Sequence, residues 1–67
     1  MKRFFFNLQG AQDTNDPFGL LYAGDLEAFR AAQRLAADLS NTRPHLRGNT
    51  SVVIVRQEVD DLYLISI

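Results

Sequence analysis

Ser51-Val52-Val53-Ile54-Val55-Arg56-Gln57 is the stretch whose reading decides the fold. Its four consecutive β-branched apolar residues favour a strand, and in a strand they point alternately to the two sides. A strand of this kind is apolar on both faces. Phe4-Phe5-Phe6 and Leu62-Tyr63-Leu64-Ile65 share that property. Only one segment of the chain reads as a helix, and one helix can shield one face of a small sheet. The other face is expected to meet something else, most simply a second copy of the chain.

Working outward, Arg3 to Gln9 alternates Phe4, Phe6 and Leu8 against Phe5, Asn7 and Gln9, which is strand periodicity. A polar, turn-rich stretch from Gly10 to Pro17 separates it from a second strand, Gly19-Leu20-Leu21-Tyr22-Ala23. Gly24-Asp25 opens the helix. With Gly24 as cap, Glu27 stands where it can reach back; with Asp25 as cap, its own carboxylate serves. At about 100° per residue, Ala28, Phe29, Ala32, Leu35, Ala36 and Leu39 share one face, while Glu27, Arg30, Arg34 and Asp38 share the other. The alanines let this helix lie close to a sheet. Pro44 is expected to stop it near Asn41.

The third strand, Ser51 to Gln57, and the fourth, Leu62 to Ile67, are joined by the acidic turn Glu58-Val59-Asp60-Asp61. Pairing Gln57 with Leu62 sets Val55 opposite Leu64 and Ile54 opposite Ile65. One face then carries Val53, Val55, Leu62 and Leu64, and the other Val52, Ile54, Arg56, Tyr63, Ile65 and Ile67. The expected fold class is α+β: two hairpins flanking one helix (ββαββ), as an antiparallel sheet of about four strands with the helix on one face. Residues 1–67 form one small domain, and the strand order stays open.

The opening Met1-x-Arg3-Phe4-Phe5-Phe6-x-Leu8 resembles that of a family of small uncharacterised alphaproteobacterial proteins of the rhizobial type. The likeness continues through the acid-rich turn Asp13 to Gly19, the helix start Asp25-Leu26-Glu27-Ala28 and two closing strands, and so covers nearly the whole chain. The chain departs from that pattern at Thr42-Arg43-Pro44-His45-Leu46-Arg47-Gly48, and at Asp60-Asp61, where the family usually has a glycine. The family has no assigned activity. The resemblance therefore implies the ββαββ layout and a bacterial, cytoplasmic origin, and it supplies no site.

Composition narrows the function classes. With hydrophobic residues at 46%, the chain has the make-up of a folded domain rather than a disordered one. A chain of this length buries only about 60% of its unfolded surface, and small chains lean on disulfides, metal or association. There is no cysteine, so disulfides and thiolate sites are excluded and association gains weight. A net charge of −1 argues against non-specific binding to nucleic acid or anionic membranes. After Phe6, Asn7, Gln9 and Gly10 end the apolar run short of the roughly 7–15 residues of a signal core, and no stretch approaches the ~20 of a membrane span. A cytoplasmic protein is expected. Asn49-Thr50-Ser51 fits the glycosylation pattern but lacks an export signal to give it meaning.

Three constellations could carry chemistry. Arg43, His45 and Arg47 follow the helix and could hold an anion such as a phosphate; the plainer reading is that they complement the helix C-terminus. Asp13, Asn15 and Asp16 offer oxygens for calcium, but Pro17 and Phe18 stand where the loop needs another ligand and a glycine. Ordinary turn chemistry explains them, as solvation explains Glu58, Asp60 and Asp61. His45 is the sole histidine, and no nucleophile elbow, phosphate loop or paired-histidine spacing occurs. The chain is expected to be no enzyme and to use no cofactor or metal. The outer sheet face is expected to carry Phe5, Val52, Ile54, Arg56, Tyr63, Ile65 and Ile67 as a homodimer or protein interface, with edge-strand pairing as another route. The alternative is a regulatory, antitoxin-like adaptor touching nucleic acid or a nucleic-acid-acting partner, with Phe5 and Tyr63 stacking bases beside Arg56. The aliphatic residues among them favour protein contact.

Overall fold

A computed structural model describes the backbone of residues 1–67 and every side chain except those of 59–62. The elements follow the order β1 (Lys2–Gly10), β2 (Leu20–Tyr22), α1 (Asp25–Thr42), a 3-10 turn (Pro44–Leu46), β3 (Thr50–Arg56) and β4 (Val59–Ser66). They build an α+β fold with one antiparallel four-stranded sheet, ordered β2-β1-β3-β4. β1 and β3 take the middle. β1 is antiparallel to both β2 and β3, so β2 and β3 run the same way and α1 is the crossover between them.

Register fixes which side chains share a side. β1 pairs with β3 as Phe4 opposite Arg56, Phe6 opposite Ile54 and Leu8 opposite Val52. β3 pairs with β4 as Val52 opposite Ile65 and Ile54 opposite Tyr63. One side of the sheet therefore carries Phe4, Phe6, Leu8, Val52, Ile54, Arg56, Tyr63 and Ile65, and this is the side that α1 covers. Ala28, Ala32 and Ala36, spaced one helical turn apart, are buried against Phe4, Val52 and Ile54. Phe29, Leu35 and Leu39 flank them, together with Phe6, Leu8, Tyr22, Ile65 and Ile67.

Three aromatic contacts close the seam at its margins. Tyr22 packs on Phe4 and Phe6 with ring centroids 5.9 and 5.8 Å apart, and Phe29 meets Tyr63 edge-on at 5.4 Å. Gly24 caps α1 without a side-chain hydrogen bond, its carbonyl accepting from Ala28 N–H. Asp25 does not cap the helix; its carboxylate receives Arg56 Nη1 at 3.1 Å and ties the helix start to β3.

The closing hairpin differs from the expected register by two residues. Ile54 faces Tyr63 rather than Ile65, and Arg56 pairs with Val59 across the two-residue loop Gln57-Glu58, with a register irregularity between Ile54 and Arg56. Because a strand repeats every two residues, an even shift leaves each side chain on its own face. Glu58 has φ 72°, a left-handed conformation that disfavours side chains. Beyond the helix stop expected from Pro44, the segment Pro44–Leu46 has a structure of its own. It forms a 3-10 turn against α1 with Leu46 buried, Pro44 supplying the fixed φ at the turn's first position.

Two substitutions check this packing. Ala32→Leu should cost about 1–3 kcal/mol, because the helix cannot stay at alanine distance from Val52 and Ile54 with a larger side chain between them. Glu58→Gly should add about 0.5–1 kcal/mol by relieving the left-handed backbone. Urea denaturation of both variants beside the parent reads the two signs directly.

Candidate functional site: the sheet face away from the helix

The opposite side of the sheet follows from the same register. Arg3 lies opposite Leu21, Phe5 opposite Val55, Asn7 opposite Val53, and Gln9 opposite Ser51. Leu64 stands beyond Val53 and Ser66 beyond Ser51. Apolar side chains thus occupy the middle of the face, and uncharged polar ones (Gln9, Ser51, Ser66) occupy one end. Val53 is buried among its neighbours, whereas Leu64 is 63% and Leu21 52% exposed. Phe5 and Val55 are half-buried. The helix covers none of them.

Phe5 keeps its place through Gly19. Gly19 has φ 69°, and a Cβ there would stand 2.6 Å from the Phe4 carbonyl oxygen and 3.0 Å from the Phe5 ring. Only glycine lets the chain turn into β2 while the ring lies over it.

The loop before Gly19 runs along the edge of β1 and satisfies its backbone. Leu8 and Thr14 exchange backbone hydrogen bonds of 2.8 and 3.1 Å. Asp16 does the rest. Its carboxylate accepts from Phe6 N–H at 3.3 Å, Phe18 N–H at 3.2 Å and Gly19 N–H at 3.0 Å, while its own N–H donates to Asn7 Oδ1 at 2.8 Å. Burial alone would raise its pKa, but the three backbone donors outweigh that and hold the carboxyl below its usual value of 3.8. Asp13 likewise accepts from Gly10 N–H at 3.0 Å. Asp13 and Asp16 are therefore turn and edge formers rather than parts of a calcium loop. Asn15, the third residue considered, is exposed. No three His, Asp or Glu side chains converge among the described residues.

The residues expected at an outer interface are divided by the sheet. Val52 and Ile54 are fully buried beneath α1, and Ile65 and Ile67 pack against the same core. Tyr63 leans on Phe29, and Arg56 reaches Asp25. Of that group only Phe5 lies on the uncovered face, so the two sheet faces exchange roles. The reason is β1: its apolar set Phe4, Phe6 and Leu8 pairs with Val52 and Ile54, which places both sets under the helix. The same division separates Phe5 from Tyr63 and Arg56, so the arrangement imagined for stacking bases is not formed. Val53, Val55, Leu64 and Leu21 are the face residues that sequence reasoning assigned elsewhere or left out. The signal lay in two strands: Ser51 alternates onto the same side as Val53 and Val55, and Asn7 and Gln9 onto the same side as Phe5.

The basic trio after the helix is exposed, and Arg47 lays its side chain along the end of α1. Arg47 Nε donates to the Ser40 carbonyl and hydroxyl, both at 2.8 Å, and so satisfies the last turn of α1. Arg43 donates its backbone N–H to Leu39 O at 2.7 Å and ends the helix, and His45 lies exposed in the 3-10 turn. Arg43 and Arg47 thus take part in ending the helix.

Comparison with known protein families, characterised proteins and solved structures gives no match. The face must be read from its own chemistry. Among the described residues no buried side-chain nitrogen or oxygen lacks a hydrogen-bond partner, so the interior holds no orphaned polar group aimed at a ligand. No helix of the described residues is long and apolar enough to cross a membrane. The uncovered face offers apolar area, uncharged hydrogen-bonding groups and one cation, Arg3, whose Nη1 already donates to the Phe18 carbonyl at 2.7 Å.

Asp16 gives this site a pH signature. A carboxylate with a lowered folded pKa stabilises the fold above its unfolded value, and that contribution is lost as pH falls through the folded pKa, here below 3.8. Asp16→Asn should therefore lose about 1–3 kcal/mol at neutral pH, the usual size for hydrogen bonds to a charged group. Its stability should also fall less steeply than the parent's from about pH 4 downward, as linkage requires. Denaturant melts at a series of pH values measure both.

Proposed function

We propose that the chain is a small non-enzymatic interaction module that self-associates, packing the sheet face turned away from α1 on the same face of a second copy. The observation that carries this reading is the apolar side of the sheet turned away from α1, where Leu64 and Leu21 are exposed and Phe5 and Val55 half-buried around a buried Val53. The exposed apolar area does not come from loose folding. The accessible surface of 4421 Å² is close to the roughly 4,300 Å² expected of a folded monomer of 7.6 kDa.

Charge permits a second copy as the occupant. Among the described residues the strands bring one charged group to the face, Arg3, already bonded within its own chain, and the adjoining loop brings Asp13 beside Asn7, Gln9 and Val53. This near-neutral balance does not oppose the approach of a second copy. Size sets the strength. Four strands about 4.8 Å apart and about seven residues long make a footprint of roughly 450 Å² per copy, near the low end for specific interfaces. Association is therefore concentration-dependent rather than obligate. Two sheets packed in this way lie about 10 Å apart, which would cover Leu64 and Leu21.

Sedimentation velocity over a concentration series tests the reading. The parent should shift from 7.6 kDa towards twice that mass as concentration rises. Leu64→Asp and Val55→Asp should remain folded by circular dichroism and stay monomeric, whereas Ile54→Asp should unfold because it places a carboxylate in the core. A parent that is monomeric at millimolar concentration, or a Leu64→Asp variant with unchanged association, contradicts it.

A further inference from the structure

The uncovered face is unevenly charged along its strands. At one end Arg3 stands opposite Leu21, and a depression there brings Lys2 and Glu58 beside them, so these side chains sum to one positive charge. Arg56 lines the same depression with its charge met by Asp25. At the other end, about 20 Å along β1 at roughly 3.4 Å per residue, Asp13 adjoins Asn7, Gln9 and Val53. Asp13 belongs to the β2 margin, because its loop bridges Thr14 to Leu8 on the edge of β1 away from β3. Arg3 bonds the Phe18 carbonyl through Nη1, and Asp13 takes Gly10 N–H on Oδ1. Among the described residues this leaves Nη2 and Oδ2 as the atoms able to reach a second copy.

Two identical sheets can stack face to face about a two-fold axis in two ways. An axis along the strands sets like ends together, with the positive end of one copy on the positive end of the other. An axis across the strands reverses one sheet and keeps the two β2 margins over each other. We propose that the self-associated form uses the axis across the strands, so that Arg3 of each copy pairs with Asp13 of the other; this rests on the self-association proposed above. Symmetry makes the pair twice. The same axis lays the Phe5–Val55 row over the Val53–Leu64 row, so apolar centre meets apolar centre, and brings Leu21 towards Gln9 of the second copy. Opposite charges at the two ends fix the relative orientation, which the apolar centre alone does not specify.

Sedimentation velocity on the parent, Arg3→Glu, Asp13→Arg and the doubly substituted chain tests the axis, with circular dichroism to check that each is folded. Each single reversal creates two like-charge contacts and should weaken association roughly tenfold or more. The double exchange restores two opposite-charge contacts and should bring association back to within about threefold of the parent. The unsubstituted chain reads the same axis through intermolecular nuclear Overhauser contacts, expected from the Leu21 methyl groups to the Gln9 side chain. Three results overturn the axis while self-association through this face stands: single variants that associate as tightly as the parent, a double variant no tighter than the singles, or contacts of Gln9 with Ser51 of the second copy. A parent that stays monomeric at millimolar concentration overturns both.

Discussion

Ala28, Ala32 and Ala36 pack on Phe4, Val52 and Ile54, and this contact decides which side of a two-sided sheet becomes interior. Alanine brings the helix axis close enough for both layers to exclude water without large helix side chains in between. The seam also uses up the only helix the chain has. Once it forms, the second apolar side of the sheet is left without a helix, and Leu64 and Leu21 stay exposed there. The uncovered face is thus a consequence of having one helix and a strand apolar on both sides.

Much of this was legible in the residues. Strand alternation in Arg3 to Gln9, alanine spacing in the helix and β-branched character in Val52 to Val55 each had one physical reading, and together they gave the ββαββ order. The grouping of side chains within the closing hairpin also held, except that Leu62 lies outside the described side chains, although the register moved by two, because an even shift cannot turn a strand over. What periodicity within a hairpin could not provide was which group meets the helix. Both groups are apolar, and the decision lies in the pairing of β1 with β3, a contact between distant segments.

Arg56 pointed the other way for an understandable reason. A charged residue in a strand suggests a solvent-facing side, yet Arg56 sits at the end of β3 where its stem can follow the core and its head can reach Asp25. The short turn at Pro44–Leu46 was hidden by its length, since three residues carry no period, and Leu46 alone among polar neighbours was the one hint of burial there. Asp16 was readable as a turn residue but not as the group that seals the edge of β1, because its partners Phe6 and Asn7 lie across the loop.

The central claim is that Val53, Val55 and Leu64 form the contact between copies while Val52 and Ile54 remain inside each one. The most direct measurement is an isotope-filtered nuclear Overhauser experiment on an equimolar mixture of labelled and unlabelled chain at millimolar concentration. The account predicts intermolecular contacts among the methyl groups of Val53, Val55 and Leu64, and only intramolecular ones from Val52 and Ile54 to Ala28 and Ala32. Intermolecular contacts from Val52 or Ile54, or none at all from Val55 and Leu64, would contradict it.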